Sequence, residues 1–378
     1  MSASTAATVT DSLHSLAVEP ETVTITAQCL CKAHTFTTKV PSSSLPLRAT
    51  ACHCDSCRHV SGAMYCTDIP WPEPRADVDT SALKKYTFSS RINDLFCGTC
   101  STRMFFEDAQ EPHDLGVLTG ALTNQPGDIV KIEKHIFVGD TMDGGATMWM
   151  RKSGIEAFEE TSREESLPIR CKCKGINFLL NRGNYDNKKA EDLPWFVDPK
   201  THKLLGGFCP CDSCRLFGSA DVFNWTYAEL ENIYYGAGVA DEGRPFPKNT
   251  AGLKAAVDAK DPSVGTLAYY ASSPDVQRYF CGDCAASIFY AVDDRPDIVD
   301  VAIGVLEASD GARAEGFLSW GYGGMSGHYT NDAKGGWREG FLKLVDEECD
   351  EWRNKRGYPK CWRRVAREGA EAQKATMS

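Results

Sequence analysis

Short apolar-rich runs bounded by polar residues recur along the chain: TVTITA (22–27), HTFTTKV (34–40), RMFFE (103–107), GINFLL (175–180) and SIFYAV (287–292). Their wealth of Val, Ile, Thr, Phe and Tyr predicts strands, as does the longer apolar run DIVDVAIGVL (297–306). No strand–helix–strand alternation accompanies them, which predicts an antiparallel, mainly β architecture. The pattern turns helical only late. WREGFLKLVDEECDEWRNK (337–355) places Trp337, Phe341, Leu344 and Val345 on one predicted helical face. Between the strand-rich parts, RKSGIEAFEETSREESL (151–167) is polar and charged and reads as a linker with some helical character.

The cysteines divide the strand pattern into two. Cys29, Cys31, Cys52, Cys54, Cys57, Cys97 and Cys100 spell CxC, CxCxxC, CxxC; Cys171, Cys173, Cys209, Cys211, Cys214, Cys281 and Cys284 spell it again, accounting for 14 of 17 cysteines. FCGTC (96–100) matches FCGDC (280–284), and TGAL (119–122) matches IGVL (303–306), with Gly120 and Gly304 each 20 positions past the last cysteine. Spacing held so closely implies a duplicated unit. The second copy carries two insertions, and the larger, NWTYAELENIYYGAGVADEGRPFPKNTAG (224–252), suggests a wall or lid over a site.

Two short-spaced thiolate pairs complete a tetrahedron around Zn²⁺. Cys29, Cys31, Cys97 and Cys100, and likewise Cys171, Cys173, Cys281 and Cys284, are therefore expected to form closed structural sites. Cys52, Cys54 and Cys57, and their counterparts Cys209, Cys211 and Cys214, offer only three thiolates. That leaves a coordination position open for chemistry. A purely structural role for all the clusters stays open, as do an iron–sulfur cluster, whose usual spacings differ, and thiol redox chemistry, which lacks its βαβ context. Cys66, Cys349 and Cys361 fall outside the pattern and read as ordinary buried or helix-face cysteines.

Composition narrows the partners. The chain has 378 residues, 42% hydrophobic and 25% charged, a length that suggests two or three folded domains. Net charge is -11, which argues against nucleic acid. The basic cluster EWRNKRGYPKCWRRVAR (351–367) reads as a solvated helical face anchored by Trp352 and Trp362, with nuclear targeting or nucleic-acid binding as the alternative. No apolar run is long enough to cross a bilayer. The absence of Lys or Arg before Cys29 fits neither a secretory signal nor a transit peptide. Free thiols in such number fit a reducing compartment, the cytoplasm or else the nucleus.

With these residues in view, the chain resembles the family of glutathione-dependent formaldehyde-activating enzymes and centromere protein V, whose hallmark is CxC, CHCxxCR and FCxxCG on a zinc-bound, Mss4-like β-tent. The resemblance implies two tandem domains, 22–152 and 168–325, flanked by a disordered leader (1–21), a linker (153–167) and a helical extension (326–378). It implies two zinc ions per domain, four per chain, and an intrachain pseudo-dimer. It also implies a carbon–sulfur lyase-type activity on a glutathione adduct of formaldehyde or another electrophile, with Cys52, Cys54 and Cys57 as the open zinc site. Arg58 and Arg215 would hold a glutathione carboxylate, and His53 is a candidate base or a group supporting the ligands. The first copy keeps His53, Ser61–Gly62 and a KHIFV (134–138) to Trp149 stretch like the family's, whereas the second has Pro210 for the histidine; this favours the first copy for chemistry. Ser101 and Ala285 replace the family's glycine after the last CxxC. A non-catalytic zinc scaffold of the centromere protein type is the rival reading.

Overall fold

The strands form two large sheets of the same design, with a hairpin and a three-stranded sheet beside them. The structure, a computed structural model, describes residues 21–108, 110, 115–150, 163–238, 246–325 and 330–377. The expected leader, except Glu21, and the linker up to residue 162 lie outside the described residues.

The first half contains β1 (Thr22–Gln28), β2 (Thr35–Pro41), β3 (Leu47–Cys52), α1 (Asp55–Ser61), β4 (Cys66–Pro70), β5 (Lys84–Thr87), β6 (Ile92–Phe96), β7 (Arg103–Asp108), β8 (Leu115–Leu118), β9 (Val130–Ile136) and α2 (Thr147–Met150). β1 and β2 form a separate hairpin, and the other strands a seven-stranded sheet in the order β5-β6-β7-β8-β4-β3-β9.

The second half runs β10 (Ser166–Arg170), β11 (Asn177–Asn181), β12 (Leu204–Cys209), α3 (Asp212–Gly218), β13 (Phe223–Glu229), β14 (Ile233–Tyr235), α4 (Thr250–Asp258), β15 (Leu267–Ser273), β16 (Val276–Cys281), β17 (Ser287–Val292), β18 (Ile298–Ala302) and β19 (Leu318–Trp320). Its large sheet, β15-β16-β17-β18-β13-β12-β19, repeats the order of the first. In both sheets the last pairing is parallel, β3 with β9 and β12 with β19, and the others are antiparallel. Two helices, α5 (Arg338–Lys355) and α6 (Trp362–Met377), follow.

Some expectations shift. Ser166 and Leu167, assigned to the linker, already pair with Asn181 and Leu180 in β10–β11. The run 297–306 is a strand only to Ala302; Ile303–Val305 is a 3-10 turn, matched by Thr119–Ala121. The buried stripe of α5 is Arg338, Leu342, Val345, Cys349 and Trp352, while Leu344 is 42% exposed. A charged residue disguised that stripe: Arg338 enters the core because Asp221 pairs with it at 2.7 Å. The residues expected as the larger insertion begin inside β13, the counterpart of β4, and go on to add β14 to the β10–β11 hairpin and the start of α4 beside β15.

The halves interlock. α1 packs on the 303–305 turn and α3 on the 119–121 turn. The Gly304 amide donates to the Gly62 carbonyl at 2.9 Å. A Cβ at Gly304 would collide with the Ala63 carbonyl, and one at Gly120 with the Ser219–Ala220 backbone, so the repeated glycine marks where each half touches the other. The second core also takes in Val60, Ala63, Met64 and Tyr65 of the first half, together with Ala146 and Met148–Met150 around α2.

Candidate metal centres and the cavity beside them

Tight turns at strand ends gather the thiols. Cys29 and Cys31 end the β1 side of the hairpin, and Cys97 and Cys100 lie in the turn after β6; these four Sγ atoms all lie within 4.8 Å of one another. Cys31 Sγ is 3.5 Å from both Cys29 Sγ and Cys97 Sγ. Cys171, Cys173, Cys281 and Cys284 form the equivalent group, with Cys173 Sγ 3.5 Å from Cys171 Sγ and 3.4 Å from Cys281 Sγ. Ligands bonded at about 2.3 Å in a tetrahedron lie about 3.8 Å apart, so both foursomes fit a metal of zinc's size. Backbone amides of His34 and Ile176 point at Cys29 and Cys171 and favour thiolate there. Crowded thiols share protons: Cys100 pushes Cys29 up and holds Cys97 down. Only a cation would let all four ionise together.

The triplets sit where a strand runs into a helix. Cys54 caps α1 and accepts the Cys57 amide at 3.3 Å, and Cys52 Sγ is 3.6 Å from Cys54 Sγ; Cys209 Sγ is likewise 3.4 Å from Cys211 Sγ ahead of α3. Each set of three Sγ atoms lies within 4.8 Å, a grouping that could hold a metal with one position left over. Ser101 and Ala285 hold a left-handed turn without glycine, at φ 61° and 65°.

Around the first triplet, His53 is buried and shares a 2.9 Å hydrogen bond with His135 on β9, and burial pushes its pKa down to about 3. Burial thus favours the neutral imidazole at neutral pH, a group that can brace the site. Cys66 is not an isolated core cysteine. It lies opposite Cys52 in the β3–β4 register, 3.2 Å from Arg103 Nη1, and the adjoining Cys57 thiol leads in drawing its pKa down to about 6. Cys349 and Cys361 are buried, as expected.

The two arginines differ in place and duty. Arg58 Nη2 donates to Asp55 at 2.6 Å, while its buried Nε and Nη1 find no partner among the described residues. It lines a cavity of about 350 Å³ at the seam, with His59, Lys172 and Glu307. Arg215 spends its donors on Asp212 and on the Gly120 and Leu122 carbonyls of the other half, and so acts as a strut.

The roomy space lies over the second triplet. Cys209, Cys211 and Cys214 all line a cavity of about 650 Å³. One row of residues directly opposite one another across the sheet, Arg278, Tyr290, Asp300 and Tyr227, belongs to its lining. The corresponding row of the first sheet is Asp94, Phe106, Gly116 and Pro70. There the Phe106 ring lies so close over Gly116 that a Cβ would collide with it. Asp300 in glycine's place forbids that collapse.

A second difference lies at the sheet edge. β9 continues until Ile136 stands beside Cys52, but β19 ends at Trp320, opposite Gly206, and Gly321, Gly323 and Gly324 line the cavity instead. Burial pushes Asp300 up to about 7. Arg278 is 5% exposed, with Nη1 3.7 Å from Cys214 Sγ. Of the insertion expected to cover a site, only Trp225 and Tyr227 line this cavity among the described residues. The opposite wall is α6, through Arg363, Arg364 and Arg367. Arg363 is exposed and Arg364 and Arg367 half-buried, so the solvated helical face expected of the basic cluster also borders the cavity, and Trp362 anchors the helix as expected, its Nε1 donating to the Trp195 carbonyl at 3.3 Å.

Among known proteins, residues 24–140 match the family model described as "Glutathione-dependent formaldehyde-activating enzyme". No curated protein and no solved structure matches the chain. No helix among the described residues is long and apolar enough to cross a membrane.

Proposed function

Because residues 24–140 match the model of the glutathione-dependent formaldehyde-activating enzyme family, we propose that the protein is a zinc-dependent carbon–sulfur lyase-type enzyme. It makes or breaks the bond between a thiol, glutathione in the first instance, and a carbonyl or similar electrophile. Cys29, Cys31, Cys97 and Cys100, with Cys171, Cys173, Cys281 and Cys284, would hold two structural ions of a β-tent-type fold. Cys52, Cys54 and Cys57, with Cys209, Cys211 and Cys214, would hold two open ones. When bound, zinc at a three-thiolate site supplies an open position and a positive charge that keep a nearby thiol deprotonated at neutral pH.

The observation that carries this reading is the 650 Å³ cavity into which the second triplet opens. Sequence favours the first half for chemistry, through His53 and the KHIFV stretch; the accessible space favours the second. Arg278, buried beside Cys214, offsets negative charge gathered on sulfur. In the addition direction sulfur forms the S–C bond, the carbonyl π pair becomes a hydroxyl, and the thiol proton ends on that oxygen. Cleavage is the reverse and needs no oxidant or reductant. Asp300, whose carboxyl is held near pH 7 in the cavity wall, is placed to pass that proton.

The test follows formation of S-hydroxymethylglutathione, and cleavage of larger glutathione adducts, by NMR with the zinc-loaded chain. Acceleration over the spontaneous reaction should fall about tenfold or more in Cys211→Ser and survive in Cys54→Ser. The reverse ranking would move the chemistry to the first triplet. No accelerated adduct, or no loss in either variant, would overturn the reading.

A further inference from the structure

The same cavity carries more cations than its thiol cluster needs. In an acidic chain, its lining holds five arginines, Arg278, Arg295, Arg363, Arg364 and Arg367, against Asp294 and Asp300. Two of the five are already spent. Arg295 pairs with Asp300 at 3.0 Å, and Arg364 with Asp350 and Glu368. The other three meet no carboxylate among the described residues. Arg278 faces Cys214 Sγ and the Ser272 hydroxyl. Arg363 lies over the Trp195 ring at 5.1 Å, and Arg367 Nη2 donates only to the Gly324 carbonyl. Of these, Arg278 is buried, where a guanidinium without a carboxylate is costly unless an anion meets it, while Arg363 is exposed and Arg367 half-buried, their charge open to a ligand entering from solvent. In the first half the strand position of Arg278 is filled by Asp94, which Arg103 neutralises at 2.8 Å.

The walls between these cations are aromatic. Trp195 meets Tyr227 edge to face at 4.6 Å, and Arg363 caps that pair. On the other side Trp225 stands 6.4 Å from Tyr290, whose ring lies 4.9 Å from the Arg278 guanidinium. A volume of about 650 Å³ falls within the range of roughly 300–1,000 Å³ that ligands of drug size occupy. A hydroxymethyl group on a thiol leaves most of such a space unfilled.

We propose that the second-half cavity binds a glutathione-type conjugate of a flat aromatic electrophile, its ring system between the aromatic walls and its carboxylates on Arg363 and Arg367 of α6. The proposal rests on the carbon–sulfur reading above and names its substrate class. It makes α6, which lies outside the family-matched residues, a specificity element: Gly321, Gly323 and Gly324 leave the opening, and the helix lines it with charge. Arg278 at the floor lies where the sulfur must come, beside Cys214.

Binding tests this without depending on turnover. Zinc-replete full-length protein is titrated calorimetrically with S-(1-naphthylmethyl)glutathione, its diethyl ester and S-methylglutathione. The aromatic diacid should bind at least about tenfold more tightly than either of the others, the gain expected from charge-assisted hydrogen bonds and ring burial. The double substitution Arg363→Ala and Arg367→Ala should bring the diacid to the level of the diester and leave the diester unchanged, while Arg363→Lys with Arg367→Lys should restore part of the difference.

Equal affinities for the aromatic and methyl conjugates, for diacid and diester, or no binding at millimolar concentration, would overturn the proposal. So would equal weakening of diacid and diester in the alanine variant, which is what a collapsed helix would give. Arginine-dependent binding with no adduct turned over would sink the enzymatic reading alone. Turnover lost in Cys211→Ser but indifferent to the arginines would sink this one alone.

Discussion

Each turn that closes a four-thiol cluster forces a side chain into backbone territory that favours glycine. After the CxC pairs, Lys32 and Lys174 both have φ 63°, and after the CxxC pairs Ser101 and Ala285 take φ 61° and 65°. The turn that closes on the thiols dictates the dihedral, and an L side chain there costs roughly 1–2 kcal/mol. Lys32 is exposed and makes no packing that glycine would forfeit. Lys32→Gly should therefore stabilise the zinc-loaded protein by about 0.5–1 kcal/mol, after allowing for glycine's greater freedom in the unfolded chain. Denaturant unfolding measures it, and a loss of stability would mean the turn is not under this strain. At this scale the sequence was most legible. All fourteen patterned cysteines gather as their spacing predicts, because one or two intervening residues leave few ways to place two thiols. Cys66 was not legible, since only the β3–β4 register brings it opposite Cys52.

Strands explain why two such similar sheets offer such different space. Their order is the same, although the strand-forming runs in the sequence marked only β7, β17 and β18 of the two seven-stranded sheets, the others falling on the smaller sheets. What the pattern could not convey is which residues share a row: Gly116 beneath Phe106 in one sheet, Asp300 between Tyr227 and Tyr290 in the other. A carboxyl kept in that row is expensive to ionise. Its folded pKa, raised to about 7 by burial, lies above the usual carboxylate value, so the folded state holds a proton that the unfolded state releases. Its contribution to stability is full below about pH 4 and is lost as pH rises towards 7. The isosteric Asp300→Asn removes this linkage. Between pH 5.5 and 7 the parent should lose stability relative to the variant by up to about 1.4 kcal/mol per pH unit, then hold a constant difference above pH 7. Taking the difference between the two proteins cancels the pH dependence of metal binding common to both. A flat difference would show that Asp300 is already ionised across the window. The helices tell the opposite story about legibility. α5 appears where the late helical pattern places it, yet its buried stripe includes Arg338 and so runs one position off the apolar count.

At the scale of the whole chain, the two halves depend on one another through the motif they share. Gly120 and Gly304 occupy the same place after their last cysteines, and each lies against the backbone of the opposite half. Around them run polar ties that cross the junction: Arg215 to the Gly120 and Leu122 carbonyls, Thr119 to Asp221 at 2.6 Å, Arg103 N–H to the Ser219 hydroxyl at 2.8 Å, and Lys172, between two metal-site thiols, to Ser56 on α1 at 2.6 Å. Sequence showed the repeated glycine but not its purpose, because spacing along one chain says nothing about what approaches from another part of it. If the glycine exists for this approach, a single methyl should force the halves apart. Gly304→Ala places that methyl on the Ala63 carbonyl, backbone that cannot rotate aside, and should cost about 2–4 kcal/mol. The unfolding transition should broaden or divide as the halves lose their common footing. Gly139→Ala is the control, since nothing lies within 4 Å of the added carbon, and it should fall within about 0.5 kcal/mol of the parent. Zinc content per chain, read by native mass spectrometry, separates the outcomes: loosened halves that keep their full metal complement would place the damage at the junction. Metal lost along with stability would mean instead that the junction and the cysteine sites form one cooperative unit, with α1 and the CKC turn as the link. Unchanged unfolding would show that the close packing of the halves is not required.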